Sequence, residues 1–439
     1  MPGSSKEFAA VGRFDNIHLG LSQEEALRIL TLPEEQLESA SDYYMAASHL
    51  INFPGGATEA ALIGLVVDGG DQQSKRLARR KAVEVLGRLK VQEALPAITA
   101  CLDSDDAYLV ENTAWALEQL GCDDPGVHQR LIDLLGDEQQ NRRVLIQSLA
   151  SLGIEEALPS IRTLLNDPVP GVRGAALAAV ARLSGRLDQV SALEDHLTLP
   201  NQMDRQSAIQ DVIDCRAGQL LPSVLKAPVS PVFRMRAFKA LWPESASRYQ
   251  NLELLKTLDR LLLDDPDHLV LVHRYDDQPD DAFLIQEFFG TDFSRCYLAL
   301  QTLRSRPPML IWPLLRMRWQ QEAHNDYGAH YFFIRLFGTI QFWPEDAKEV
   351  LQEWLLEAVE TQRPQFMKSK PAAILALAAL SPDVCALHLM RWLDPQQMPF
   401  WEARYAAAMA AMSLKMTCSL DPDPNPYVQA RRVGSGADF

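Results

Sequence analysis

A tetrad that recurs at a fixed interval constrains the fold of this chain more than any other feature. Glu-Ala-Leu-Pro stands at residues 93–96 and again at 156–159, and a looser copy, Gln-Leu-Leu-Pro, follows at 219–222. The three prolines are 63 residues apart in both intervals. Leu-Gly pairs fall between them, at 86–87, 120–121 and 152–153. These spacings predict a repeat of about half that interval, near 31–32 residues.

Each repeat shows the same internal order. An acidic turn, as at 104–106 and 166–168, precedes a helix rich in Ala and Leu such as 172–180. A second helix follows, with proline in its first turn. Small residues at helical spacing let neighbouring helices approach closely, as stacked helical pairs require. The pattern predicts an all-α fold, an α-solenoid of short HEAT-like helical repeats with a bulkier, aromatic-rich helical C-terminal half. The alternative is a helical bundle whose prolines are in phase by chance.

The composition changes along the chain and predicts four segments. They are an N-terminal helical cap (1–55), the HEAT-like array (56–245), aromatic-rich helices that continue the solenoid (246–420) and a disordered tail (421–439). In the cap we expect helices at 20–32, capped by Ser22, and at 34–52. The predicted C-terminal helices are 251–264, 280–289, 292–304, 309–323, 327–341, 344–360, 370–380, 382–393 and 400–417.

Charge and cysteine usage exclude several classes of protein. Lys and Arg number 42 and Asp and Glu 58, a net charge of −16, which argues against nucleic acid or an anionic membrane surface as the main partner. The six cysteines lie singly with no CxxC, as in a reducing compartment. No run of apolar residues is long enough to span a membrane and no secretory signal is visible. We therefore expect a cytoplasmic protein without a membrane span.

The C-terminal half combines aromatic residues with arginine. Seven of the eight tryptophans follow residue 240. Between 304 and 335 five arginines face only Glu322 and Asp326. Guanidinium groups beside aromatic rings suit a flat, conjugated ligand that carries carboxylates. The alternatives are a solvated helix face for the arginines and bulky packing between irregular helices for the aromatics.

Residues 324–331 bring together groups that can transfer protons. The segment reads HNDYGAHY, so that a carboxylate, phenols and imidazoles lie within about two helical turns. The alternative is structural, with Asp326 an N-cap, Tyr327 and Tyr331 core residues and the histidines on the surface. A similar cluster at 273–277 is followed by a turn-forming sequence. Phosphate-binding loops, catalytic elbows and metal-ligand spacings are absent from the sequence, so no metal site is predicted.

Three stretches of sequence resemble one family. They are DYY at 42–44 followed by FP at 53–54, RKAVEVLGRL at 80–89, and LVENTAWAL at 109–117. They are similar to the E/F-type phycobilin lyases of cyanobacteria, and the likeness continues more weakly through 280–303. The long C-terminal half resembles the members that serve phycoerythrin in marine cyanobacteria. The resemblance implies a HEAT-like fold and a lyase that joins a linear tetrapyrrole to a cysteine of a phycobiliprotein by a thioether.

From this resemblance we expect a phycoerythrobilin lyase acting on phycoerythrin, with the α subunit as acceptor, and isomerisation to phycourobilin. Phycoerythrobilin is then the bound substrate and no resident cofactor is expected. The local chemistry predicts Asp326, Tyr327 and His324 as catalytic residues. The predicted bilin-binding residues are Arg316 and Arg318 for the propionates, with Trp319, His330 and Tyr331. A non-isomerising lyase, a non-catalytic bilin carrier or adaptor, and a scaffold without bilin remain alternatives.

Overall fold

The computed structural model describes residues 20–68, 70, 72–242, 252–416 and 421–433. Within these ranges the regular secondary structure is entirely helical, which confirms the predicted all-α class. The chain divides into two compact units, 1–189 and 190–439. The predicted boundary at 245/246 lies outside the described residues. Of the described helices, none combines the length and apolar character needed to cross a membrane.

The first unit is a series of helical repeats. Alternate helices α2, α4, α6, α8 and α10 each pack against the next, and shorter helices lie between them. The helices are α1 Gln23–Thr31, α2 Asp42–His49, α3 Gly56–Asp68, α4 Gln73–Leu89, α5 Leu95–Thr99, α6 Ala107–Leu120, α7 Pro125–Leu134, α8 Arg142–Leu152, α9 Leu158–Thr163 and α10 Pro170–Ser184.

The recurring residues of the sequence begin and end these helices. Asp106 caps α6 by accepting hydrogen bonds from the backbone N–H groups of Tyr108 and Leu109 at 3.1 and 3.3 Å. Gly121 and Gly153 end α6 and α8 with φ of 64° and 76°, a conformation that side chains with a Cβ rarely adopt. The recurring prolines stand in the first turn of the short helices α5 and α9 and of a third short helix, Leu221–Val224.

Buried ion pairs join successive repeats. Arg80 on α4 donates two hydrogen bonds of 2.8 Å to Asp106, the cap of α6. Arg142 on α8 pairs with Asp167, which precedes α10, at 2.9 Å. The two arginines are 62 residues apart, so the pair repeats with the period of the array. A bidentate contact of this kind fixes the turn of one repeat to the helix of the repeat before it.

The second unit contains the aromatic-rich helices. Its helices are α11 Leu193–His196, α12 Gln202–Asp214, α13 Leu221–Val224, α14 Pro231–Leu241, α15 Leu252–Leu263, α16 Asp281–Glu287, α17 Phe293–Leu303, α18 Pro308–Gln321, α19 Ala329–Thr339, α20 Glu345–Glu360, α21 Ser369–Leu380, α22 Pro382–Leu393, α23 Trp401–Ser413 and α24 Pro426–Val433. From α15 to α23 the predicted helices all form, with ends within about four residues of the prediction.

Most of the tryptophans in this unit fill its core. Trp319 stacks on Trp354 with ring centroids 5.2 Å apart, and Trp312 lies 5.9 Å from Trp343. All four are buried. These rings fill the space between irregularly packed helices, so the packing interpretation holds for them.

Two sequence predictions of local structure are wrong. Residues 34–52 are not one helix, because the Asp42 carboxylate accepts the backbone N–H groups of Glu38 and Ser39 and forms a turn before α2. The tail is not disordered over 421–433, where α24 forms. Asp423 accepts two hydrogen bonds from buried Arg404 at 2.8 and 3.0 Å, and this pair holds the segment to α23. Residues 434–439 lie outside the described residues.

Candidate functional site

Asp326 begins α19. One of its carboxylate oxygens accepts the backbone N–H groups of Gly328 at 2.8 Å and Ala329 at 2.7 Å. Asp326 therefore satisfies two backbone donors at the entry to α19, although the residue that directly precedes the helix is Gly328. The other oxygen accepts no hydrogen bond from the residues that the structure describes. The carboxylate therefore fixes the local backbone and still has one oxygen free to accept a proton or a hydrogen bond.

Tyr327, the second predicted catalytic residue, covers a lysine that sequence reasoning missed. The side chain of Tyr327 is 55% exposed, and the Lys368 Nζ atom lies 3.7 Å from its ring centroid. The rings of Phe293 and Tyr331 stand 5.2 and 5.5 Å from the same nitrogen. Three aromatic faces therefore surround one ammonium group.

The environment of Lys368 favours the loss of its proton. Its Nζ is buried and has no hydrogen-bond partner within the described part of the chain. Burial lowers the pKa of Lys368 to about 8, although the charges of Cys296 and Asp326 act in the opposite direction. The amine and the ammonium forms are both populated near that pH. Lysine before an apolar helix is usually solvated, so the sequence carries no signal for this site.

The two predicted histidines and Trp319 do come together, around a very small cavity. His324, His330 and Trp319 line a space of about 40 Å³ with Arg363 and Phe366. That volume is well below the roughly 300–1,000 Å³ of typical small-molecule pockets. The cavity cannot hold a tetrapyrrole.

His330 is a buried, neutral imidazole. Its ring stacks on Phe366 with centroids 4.2 Å apart, and its Nδ1 lies 2.9 Å from the Ser369 hydroxyl. Burial, with the nearby charges of Lys368 and Arg363, lowers the pKa of His330 to about 3. His324 is exposed, and its Nδ1 lies 3.0 Å from the carbonyl oxygen of Trp319. His324 is thus the accessible imidazole of the pair.

Tyr331 belongs to a buried polar network centred on Asp264. The hydroxyl groups of Tyr331 and Tyr297 donate to the same Asp264 oxygen, the latter at 2.7 Å. Arg234 donates to the other oxygen at 2.5 Å and to the Tyr297 hydroxyl at 2.9 Å. Burial alone would raise the pKa of Asp264, but the charges of Arg234 and Arg335 outweigh it and lower that pKa. In this conformation Tyr331 offers no surface to a ligand.

The local excess of arginine in the sequence is balanced by acids from elsewhere in the fold. Arg304 pairs with Asp265 at 3.0 Å and Arg306 with Asp281 at 3.1 Å. Arg318, a predicted propionate ligand, pairs with Glu322 at 2.6 Å, donates to Gln286 at 2.8 Å and lies 4.6 Å from the Phe289 ring centroid. Its guanidinium is already engaged.

Arg316, the other predicted propionate ligand, has a different environment. It is exposed on α18 and has no ion-pair partner among the described residues. The two predicted ligands therefore differ, since only Arg316 has a free guanidinium.

A larger cavity lies elsewhere in the second unit, between α13, α14 and α15. Its volume is about 480 Å³. The walls are mostly apolar, and Lys226, Arg260 and His268 stand at exposed positions around it. Arg234 of the buried network forms part of one wall. Cavities of roughly 300–1,000 Å³ with apolar walls and a few polar groups are typical of small-molecule sites.

The cysteines within the described residues are shielded from solvent. Cys101, Cys122, Cys215, Cys296 and Cys385 are free thiols, all buried. Burial raises the pKa of Cys215 to about 11 and that of Cys385 to about 12. Thiols with such pKa values are protonated at neutral pH and are poor nucleophiles. Among the residues that the structure describes, no group of three His, Cys, Asp or Glu side chains is placed to hold a metal ion.

Comparison with known proteins decides the family. The model for HEAT repeats matches residues 71–143 and 136–213. The Bilin biosynthesis protein CpeY of Synechococcus sp. (strain WH8020) is 43% identical over 405 residues, which cover 90% of this chain and 97% of that protein. The chain belongs to the E/F-type phycobilin lyase family.

Other relatives extend this family assignment. The Uncharacterized phycocyanin operon protein Y of Pseudanabaena tenuis (strain PCC 7409) is 35% identical over 89% of this chain and 91% of its own length. The Phycocyanobilin lyase subunit alpha of Thermosynechococcus vestitus (strain NIES-2133 / IAM M-273 / BP-1) is 32% identical over 47% of this chain and 81% of its own. The resemblance inferred from residues 42–54, 80–89 and 109–117 is confirmed, and so are the HEAT-like repeats.

Proposed function

We propose that this protein is a bilin lyase that attaches phycoerythrobilin through a thioether to a cysteine of a phycoerythrin subunit. The proposed acceptor is the α subunit. The observation that carries the proposal is the 43% identity to a bilin biosynthesis protein over nearly its whole length. The relative named as a phycocyanobilin lyase subunit supports the same chemistry. The five thiols within the described residues are buried, which agrees with a nucleophile that belongs to the acceptor protein.

The reaction needs proton transfer and no redox partner. The acceptor sulfur bonds to the exocyclic ethylidene carbon of ring A, and the proton lost by the thiol is matched by one gained at the adjacent ring carbon. Isomerisation to phycourobilin moves a double bond by removing one proton and returning another. A base and an acid near the bilin are sufficient for both steps. Phycoerythrobilin is the substrate, and no resident cofactor is required.

The exposed groups at the start of α19 are the proposed acid and base. Asp326 offers a free carboxylate oxygen, Tyr327 a half-exposed phenol, and His324 an accessible imidazole. Lys368 beneath Tyr327 adds a group that exchanges its proton near pH 8. This supply of proton carriers is what favours the isomerising form. Trp319, His330 and Tyr331 would act by shaping this surface from below.

Attachment to a purified acceptor tests the proposal. The full chain is mixed with phycoerythrobilin and phycoerythrin α subunit, the mixture is denatured, and visible absorbance on the α subunit is measured. Absorbance that survives denaturation shows a thioether, and a maximum at shorter wavelength than bound phycoerythrobilin shows phycourobilin. A maximum unchanged from phycoerythrobilin would indicate a non-isomerising lyase. Bilin bound to this chain with no transfer would indicate a carrier.

Variants then test the catalytic assignment. We expect Tyr327→Phe and Asp326→Asn to slow attachment by about 100-fold or more, because general acid–base catalysis typically contributes about 10²- to 10⁴-fold. A matched control is Tyr44→Phe. Tyr44 in the first unit is also exposed, and a lysine also lies against its ring, with Lys81 Nζ 5.1 Å from the ring centroid. Tyr44→Phe should retain full activity. Wild-type rates in both site variants would refute the assignment.

A further inference from the structure

We infer that the carboxylates of the bilin bind Lys226 and Arg260 at the 480 Å³ cavity between α13, α14 and α15, and not the predicted ligands Arg316 and Arg318. The inference rests on the proposed function and deepens it by naming the ligand site. Four observations carry it: the size of the cavity, its apolar walls, the unpaired cations at its rim and its connection to the predicted catalytic segment.

Size distinguishes this cavity from the one at the predicted site. A linear tetrapyrrole with two propionates needs a volume of several hundred Å³, within the range of small-molecule pockets. The cavity at His324 and His330 holds about 40 Å³. A cavity of about 330 Å³ in the first unit is lined by Arg162 and Arg186, but Arg186 is paired with Asp188 at 3.2 Å. The cavity in the second unit has both the volume and free cations.

The walls suit a flat, conjugated molecule. Leucines and a proline come from α13, α15 and the turn after α15, and Trp242 adds an aromatic ring at the end of α14. The apolar lining is Leu221, Pro222, Leu225, Leu261, Leu269 and Trp242. The backbone N–H of Val270 donates to the Lys226 carbonyl at 2.8 Å, which fixes the turn after α15 against the end of α13. Apolar walls on such fixed elements favour burial of pyrrole rings.

The charges at the rim are unbalanced in favour of an anion. Within the described ranges Lys226 and Arg260 pair with no carboxylate, unlike Arg304 and Arg318. The acids of the lining are themselves engaged: Asp265 pairs with Arg304 at 3.0 Å and Glu253 with Lys256 at 3.2 Å.

The remaining charged groups at the cavity do not offset these cations. The buried wall residue Arg234 is neutralised by Asp264, and the exposed His268 adds a further donor. In a chain of net charge −16, two free cations at one apolar cavity predict a ligand with two carboxylates.

A buried network links the cavity to the predicted catalytic segment. Arg234 in the cavity wall donates to Asp264, and the Tyr331 hydroxyl donates to the same carboxylate. Lys368 lies against the rings of both Tyr331 and Tyr327. Ligand binding at the cavity therefore acts on a rigid set of contacts that ends at the exposed Tyr327.

Bilin titration of paired variants tests the inference. We would measure the visible absorbance of phycoerythrobilin as the full-length protein is added, for wild type, for Lys226→Ala with Arg260→Ala, and for Arg316→Ala as the matched control. The side chains of Lys226, Arg260 and Arg316 are all exposed, so these substitutions should not affect folding. Each lost charge-assisted contact should weaken binding about tenfold or more, so the double variant should lose at least about 100-fold and Arg316→Ala should match wild type.

The dimethyl ester of phycoerythrobilin provides a control on the ligand side. It lacks the negative charges, so wild type and the double variant should bind it with equal affinity if the two cations hold the propionates. A charge-conserving pair, Lys226→Arg with Arg260→Lys, should retain most of the affinity for the free acid.

Two results would overturn the inference. They are wild-type binding by the double variant, and weakening confined to Arg316→Ala. Either would leave the lyase proposal intact as long as wild type transfers bilin to phycoerythrin. Failure of wild type to form any thioether would instead refute the proposed function.

Discussion

The Asp264 network offers a sharp test of how the second unit is held together. Asp264 is 1% exposed and Arg234 2% exposed, and Tyr297 and Tyr331 complete the site. The substitution Asp264→Asn removes the charge and retains the shape. Asp264 has a φ of 45°, a conformation that Asn tolerates at least as well as Asp, so no backbone strain is introduced. The loss of stability then reports mainly the uncompensated Arg234 cation, together with the nearby Arg335 charge and the two tyrosine hydroxyl contacts.

The expected loss is large. Removing one partner of a buried ion pair costs about 3–5 kcal/mol, because the other charge stays buried without compensation. For a unit of this size the urea dependence of unfolding is about 2–3 kcal/mol per molar, so the midpoint should fall by about 1–2 M. Seven of the eight tryptophans follow residue 240, and tryptophan fluorescence therefore reports unfolding of the second unit.

The pH dependence and two control variants complete this test. Because the pKa of Asp264 is lowered in the folded protein, its carboxylate stabilises the fold at pH values above the unfolded pKa, near 3.9. This contribution is lost as the pH falls. The difference in stability between wild type and Asp264→Asn should therefore shrink in acid. Asp267→Asn, at an exposed pair with Arg304, should cost at most about 1 kcal/mol. Arg234→Met added to Asp264→Asn should recover stability. Equal midpoints for Asp264→Asn and Asp267→Asn would refute this reasoning.

Three further predictions concern other residues. Lys368→Met should stabilise the protein at pH 7 by roughly 2 kcal/mol in urea unfolding and should also slow attachment. Between pH 8 and 10.5 the unfolded chain holds a proton that folded Lys368 has lost. The stability of wild type should therefore rise with pH in this range, and that of the variant should not. The stability of wild type should fall by about 1 kcal/mol per pH unit as the pH drops from about 6.5 towards 3, because only the imidazole of the unfolded chain binds a proton there. In His330→Asn this dependence on pH should be weaker. An unchanged slope would contradict the assignment. Gly338→Ala should lower the thermal midpoint, since the added Cβ would lie 2.6 Å from the Ala376 Cβ and cost about 1–3 kcal/mol, whereas Gly64→Ala meets open space on a helix and should raise it.

The sequence predicted the fold well because its signals are local. The recurring prolines, the Asp caps and the terminal glycines each act on their own helix, and their spacing defines the repeat. The failures occurred where a side chain acts on distant backbone or on another helix. Asp42 breaks the 34–52 segment, and Arg404 orders Asp423, which lies in a proline-rich stretch that reads as a flexible tail.

The site was harder to predict because its properties depend on partners far apart in sequence. Arg318 looks free in the sequence, yet Gln286 of α16 and Phe289 of the turn after α16 both contact it. Tyr331 is drawn into the core by Asp264, 67 residues away. The cavity at Lys226 and Arg260 joins segments around 221, 257 and 268 with no shared motif. Spacing along the chain cannot report which of several cations is left without a partner.

Covalent transfer of phycoerythrobilin tests the central claim most directly. Full-length protein, phycoerythrobilin and phycoerythrin α subunit are incubated, the α subunit is denatured and its visible spectrum is recorded. The lyase proposal predicts denaturant-stable absorbance on the α subunit with wild type, at the shorter wavelength of phycourobilin. An α subunit that stays colourless after denaturation, with bilin bound to this protein or free, would contradict it.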